Sequence, residues 1–239
     1  MLLLTIRLLS LLVGTTHINF KILNMKTLTK EAQEAITPAM ALELLKSGNT
    51  RFVENLKLNR NLLQQANETS DGQHPFAVIL SCIDSRTSAE LIFDQGLGDI
   101  FSVRIAGNII NEDILGSMEF GCKVAGSKII VVLGHTSCGA VKGACDHVEL
   151  GNLTGLLAKI EPAVEAEKTE KENRNSKNSA FVEKVSEINV RQTVEAIMER
   201  SPILKEMIQD GSVGIIGGMH EIATGKVTFF EDDLVNHGL

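Results

Sequence analysis

The sequence predicts an α/β fold: a mainly parallel sheet flanked by helices, with an N-terminal helical arm and a C-terminal edge hairpin. Three observations carry this. Four short, β-rich apolar runs recur along the chain, helical spacing fills the segments between them, and glycine or polar residues punctuate the junctions. Taken in order, Met40, Leu42, Leu44, Leu45, Phe52 and Val53 recur at mainly helical spacing behind Thr37-Pro38, which predicts a helix over 37–55. The runs FAVIL (76–80), DIFSVRIA (99–106), KIIVVLG (128–134) and SVGIIGG (212–218) read as buried strands. Helices are expected at about 87–95, 112–125, 139–147, 152–166, 180–199 and 201–210. The stretch HEIATGKVTFF places Thr224-Gly225 between two strand-like runs, which predicts a closing hairpin. Residues 165–178, EAEKTEKENRNSKN, are nearly free of apolar side chains and predict a solvated helix end or mobile loop.

The chain has 239 residues, 44% hydrophobic and 22% charged, which excludes disorder as its main state. Its formal charge of -7 lacks the basic excess that nucleic acid attracts. No apolar run reaches the roughly 20 residues that a membrane span needs, since MLLLTIRLLSLLVG is interrupted by Arg7. Residues 1–24 read as a leader or disordered segment, and 25–239 as one domain with no internal repeat. The four cysteines are too sparse for a disulfide scaffold and fit a reducing, cytoplasmic setting, with export as the alternative if 1–24 is a signal.

Two segments carry chemistry. Cys82-Ile-Asp84-Ser-Arg86 begins where the first strand runs out, ahead of a Thr87-Ser-Ala-Glu90 capping box. His135-Thr-Ser-Cys138-Gly139 begins where the third run ends and leads into the next helix. Ligand sites in open parallel sheets form outside the carboxyl ends of strands, so the two loops are expected on one edge. Two thiolates and an imidazole suit tetrahedral zinc and leave its fourth position open. Cys138, at a helix start, is expected to have a lowered pKa. Asp84 can form a two-point pair with Arg86. It could then accept a proton at the reacting centre, or swing onto zinc and close the fourth position. Cys122 and Cys145 read as packing residues, and His147 and His220 as structural.

CIDSR, FDQGLGDIFSVRIAGN and GHTSCGAVKGA together resemble the β-class carbonic anhydrases over roughly residues 30–232. The resemblance implies one zinc per chain on Cys82, His135 and Cys138, with Asp84 and Arg86 as a catalytic dyad and Asp84 a fourth ligand only in a closed, inactive state. It also implies a homo-oligomer, dimer or tetramer, because sites in this family are completed across the subunit interface. Gln73, Phe101 and Gly139 match positions that line the substrate pocket of the plant-type branch. Phe120 stands where that branch often has Tyr, so any role for that hydroxyl is absent.

The implied reaction is reversible hydration of carbon dioxide to bicarbonate by hydroxide generated at zinc, with activity rising with pH. Three alternatives share the residues: hydrolysis of carbon disulfide or carbonyl sulfide, a zinc-stabilised binding module closed by Asp84, and a thiol nucleophile on Cys138.

Overall fold

The computed structural model describes residues 27–231, and the expected leader over 1–24 lies outside them. Strands β1 (Ala77–Ser81), β2 (Ile100–Arg104), β3 (Ile129–His135), β4 (Gly214–His220) and β5 (Val227–Phe229) form one sheet in the order β2-β1-β3-β4-β5. The first four are parallel and β5 runs antiparallel at the edge, closing the hairpin read from Thr224-Gly225. Every residue of β1, β3 and β4 is buried, which is why these runs lack the alternation of a half-exposed strand. From β1 the chain moves to one side for β2, then recrosses to lay β3 on the other. That reversal makes the carboxyl ends of β1 and β3 a topological switch point, where an open sheet leaves a crevice.

Helices α1 (Lys30–Glu34), α2 (Pro38–Val53), α3 (Leu62–Glu68) and α4 (Ala89–Ile92) come first in the chain. The Thr37 hydroxyl caps α2 by accepting the Met40 N–H, with Pro38 in the first turn, as the arm's sequence predicts. Leu42 and Leu45 of α2, with Ile92 and Phe93, cover one sheet face over Ile79, Val131 and Ile216. Buried Asn49 ties this arm down, bonding the Ile92 and Gly225 carbonyls and the Val227 N–H. The polar sequences of α1 and α3 gave no periodic signal.

Helix α5 (Glu112–Glu119) passes into a π-helical turn, Phe120–Val124, where the Ala125 N–H reaches the Phe120 carbonyl five residues back. The segment expected as one helix over 152–166 is two, α7 (Gly151–Leu157) and α8 (Glu161–Ala166), after α6 (Gly139–Cys145). Pro162 has no N–H with which to continue α7, and it sits instead in the first turn of α8. Helices α9 (Ser179–Arg200) and α10 (Pro202–Gln209) cover the second face, where Val190, Val194, Ile197 and Leu204 pack with Val78, Leu80, Ile130, Val132 and Ile215. Helix α9 lies close: a Cβ on Gly134 or Gly217 would come within 2.6 Å or 2.8 Å of Val190.

The charged segment 165–178 is not a free loop. Glu167, 2% exposed, accepts from the Thr169 and Glu170 backbones, the Thr169 hydroxyl and the Arg174 guanidinium, which also lies 4.5 Å from the Phe181 ring centre. Its composition looks solvated because the segment's core is a carboxylate.

Candidate metal centre

Ser81 ends β1, so Cys82 emerges at the switch point, while His135 is the last residue of β3. Cys138 follows three residues later as the N-cap of α6. The turn between them is possible because Ser137 adopts φ 57, a left-handed conformation that brings the chain straight back. One ligand atom from each of Cys82, His135 and Cys138 lies within 4.8 Å of the others, and all three residues are buried. The two sulfurs are 4.0 Å apart, close to the roughly 3.8 Å that tetrahedral zinc with Zn–S bonds of about 2.3 Å requires. His135 Nδ1–H donates to the Thr136 carbonyl at 2.9 Å, leaving Nε2 as the free acceptor. That Nε2 is buried without a hydrogen-bond partner, an orphan that a metal ion would satisfy. The donor set and its spacing therefore fit zinc.

The thiols do not titrate as the helix argument alone predicts. Cys82 is held well below its ordinary value, chiefly by the Cys138 thiol donating to it, with His135 and the Gly107 N–H adding to this against burial. Cys138 is pushed up by the same neighbour and by burial, and the Ala140 and Val141 amides at the start of α6 only offset part of that. The amides at the start of α6 act on Cys138 in the expected direction, and the neighbouring sulfur and burial outweigh them.

Asp84 and Arg86 form the expected two-point pair, Arg86 Nε to Oδ1 at 2.9 Å and Nη2 to Oδ2 at 2.8 Å, with the Arg86 N–H also on Oδ1. These bonds hold the Asp84 carboxyl far below the usual carboxylate range. Both oxygens face the guanidinium, and Asp84 is not in the three-ligand cluster.

The capping box is corrected. Thr87 is buried and donates to the Cys82 and Asp84 carbonyls at 3.0 and 2.9 Å, so Ser88 becomes the N-cap of α4, without a side-chain cap bond. Arg104, inside the SVRIAGN run, reaches the same Cys82 carbonyl at 3.0 Å. Neither role was visible, because a hydroxyl or guanidinium on a loop carbonyl has no sequence spacing of its own. His220 lies in register beside His135 on β4, buried, with both ring nitrogens unpartnered. Burial foremost lowers its pKa to about 4. Burial pushes the Cys122 and Cys145 thiols up to about 12 and about 11, which makes both unreactive.

Gly139 opens α6 beside Cys138, and a Cβ added there would meet nothing within 4 Å. Gln73 and Phe101 are not brought to the centre of their own chain. Gln73 precedes β1, whose five residues put about 13 Å between its ends. Phe101 pairs with Val78, three residues short of the level of Ser81. There it packs edge-on against Phe120, ring centres 6.2 Å apart. No helix among the described residues is long and apolar enough to cross a membrane.

Comparison with known proteins agrees with this architecture. The carbonic anhydrase family profile matches residues 77–227. Carbonic anhydrase 2 of Mycobacterium tuberculosis is 36% identical over 207 residues, covering 84% of this chain and 96% of its own. The carbonic anhydrase of Mycolicibacterium smegmatis is 33% identical over 196 residues, covering 80% and 92%. Among solved structures, the β-carbonic anhydrase CcaA superposes with a TM-score of 0.63 at 24% identity, over 79% of this chain and 87% of that one. A tetrameric β-carbonic anhydrase of Sordaria macrospora gives 0.61 at 22% identity, over 69% and 84%. With the fold, the switch-point cluster and these relatives in agreement, the chain belongs to the β class of the carbonic anhydrase family and is an enzyme of that kind.

Proposed function

We propose that the chain reversibly hydrates carbon dioxide with one zinc held by Cys82, His135 and Cys138, in a state that Asp84 leaves open. The observation that carries this is the two-point Asp84–Arg86 pair beside a buried three-ligand cluster. To close the fourth position, Asp84 would have to give up both guanidinium bonds. Bound zinc supplies Lewis acidity, the source of hydroxide at neutral pH. Asp84, ionised throughout the neutral range, accepts a proton at the reacting centre, and Arg86 fixes the direction of its oxygens. His135 presents Nε2 because Thr136 fixes the other nitrogen, and the bare Gly139 leaves room for a small substrate.

The same reading makes the enzyme a homo-oligomer. Ile83, Leu91, Phe120 and Val124 are exposed apolar side chains, a set that association would bury. Gln73 and Phe101, remote from the cluster of their own chain, then serve the cluster of a second copy. The tetrameric Sordaria relative supports association of this kind.

The test is stopped-flow carbon dioxide hydration by zinc-quantified protein at about pH 6.5 and 8.5, on either side of the pKa near 7 that zinc can impose on water. Wild type should accelerate hydration, more at the higher pH, and Cys82→Ser should not. Asp84→Asn should retain zinc and lose about 10²–10⁴-fold in kcat, the usual worth of a positioned proton acceptor. Zinc near one per chain without hydration, or with turnover of carbonyl sulfide alone, would overturn the reading.

A further inference from the structure

Helix α9 reaches the His135–Cys138 loop directly and the Cys82 sulfur through Gly107, with one polar side chain for each. Asn189, 3% exposed, donates from Nδ2 to the Gly107 carbonyl at 2.9 Å. Gly107 in turn directs its N–H to Cys82 Sγ at 3.4 Å. It does this at φ +68, where a Cβ would come within 2.5 Å of Ile160. Six residues before Asn189, about 9 Å along the helix axis, Glu183 Oε1 accepts the Ser137 N–H at 2.9 Å. Ser137 is the left-handed residue between His135 and Cys138.

These two side chains are costly where they stand. Asn189 is buried, and Glu183, though half-buried as a residue, holds Oε2 out of solvent without a partner. Apolar residues would pack the same helix with no polar group to satisfy. What Asn189 and Glu183 add is directional. Each holds a residue of left-handed φ: Gly107, whose N–H points at the Cys82 sulfur, and Ser137, which lies between His135 and Cys138. The rod that carries them is seated on the sheet through Val190 over Gly134 and Gly217, so its position is not adjustable.

We propose that Asn189 and Glu183 are positioning residues, through which α9 presets the separation of the Cys82 and Cys138 loops for zinc. The inference rests on the zinc-ligand reading above and assigns to α9 a role in metal affinity in addition to packing. Ordering the loops before the ion arrives removes that entropy cost from binding.

The test compares N189L, E183L and E183Q with wild type, by zinc affinity in chelator competition and by the thiolate-to-metal absorption of the cobalt(II)-substituted proteins. N189L and E183L should bind zinc about 10–100-fold more weakly, as is usual when the support of a ligand is removed, and should shift the cobalt band. E183Q keeps an oxygen acceptor for the Ser137 N–H and should return to wild-type affinity and spectrum. Should N189L fail to fold by circular dichroism, the E183L and E183Q pair decides the matter alone. Wild-type affinity and spectra in the leucine variants, or equal damage in E183Q and E183L, overturn the proposal. A wild-type chain that takes up no zinc overturns it together with the function. Weakened zinc in the leucine variants of a wild type that hydrates no carbon dioxide supports it while overturning the function.

Discussion

Replacing Gly107 by alanine separates two costs that the structure lets one calculate. The residue sits at φ +68, where a β-carbon costs about 1–2 kcal/mol against the following carbonyl. The new Cβ would also stand 2.5 Å from Ile160 Cδ1 and 3.3 Å from Ala140 Cβ. Ile160 is fully buried and cannot retreat without disturbing its neighbours, so overpacking adds about 1–3 kcal/mol. Gly211 supplies the control, with φ +77 and nothing within 4 Å of an added Cβ. Gly211→Ala should therefore show only the backbone cost of about 1–2 kcal/mol, and Gly107→Ala about 2–5 kcal/mol. Urea denaturation of the zinc-loaded proteins measures both from the shift in midpoint at unchanged slope. Gly107→Ala should also bind zinc more weakly, since the peptide that donates to Cys82 must move. If the two variants lose the same stability, the close packing of Ile160 on this turn does not govern it and the reasoning fails.

Arg60 and Arg51 both pair with the Asp94 carboxylate, and the Arg60 and Asp94 side chains are 5% and 4% exposed. Arg60→Leu leaves a buried charge with one fewer partner and should cost about 3 kcal/mol, the lower end for breaking a buried pair because Arg51 remains. A urea midpoint corresponding to less than about 1 kcal/mol, the range of an exposed pair, would show that the pair is solvated in solution. Glu167 is raised by burial, but its bonds from Thr169, Glu170 and Arg174 prevail and bring it down to about 2 from an ordinary value of 4.5. A depressed carboxylate contributes stability that is fully present above its unfolded pKa and is lost as pH falls toward its folded one. The 165–178 segment should therefore become accessible to acid proteases between about pH 4.5 and 2, ahead of the sheet. Equal loss of protection in both regions would remove Glu167 from that role.

The parts that were legible in the sequence are those where burial and spacing coincide. FAVIL and KIIVVLG are apolar at nearly every position because both of their faces are covered, and the two ligand motifs stand at their ends. Proximity of Cys82 to Cys138 then follows from topology, not from sequence distance. Polar cores were illegible for the converse reason. Glu167, Asn49 and Asn189 are buried because of partners 2–178 residues away, and a composition window treats each as a surface residue. Thr87 shows the same competition at short range. Its spacing to Glu90 fits a cap, yet two loop carbonyls had a stronger claim on its hydroxyl.

Gln73 and Phe101 carry this argument beyond the single chain. Sequence order puts Gln73 nine residues before Cys82, which reads as nearness, but a strand of five residues intervenes and places the two at opposite ends of the sheet. Under the proposed function they would act on another copy, and the exposed ring of Phe120 packed on Phe101 is the surface to perturb. Phe120→Asp places a charge in that contact without touching Cys82, His135 or Cys138. It should yield a chain that sediments as a monomer, keeps its zinc, and has lost most of its hydration activity. A monomeric Phe120→Asp with wild-type kcat and KM would show that each chain holds a complete pocket, and would take Gln73 and Phe101 out of the site.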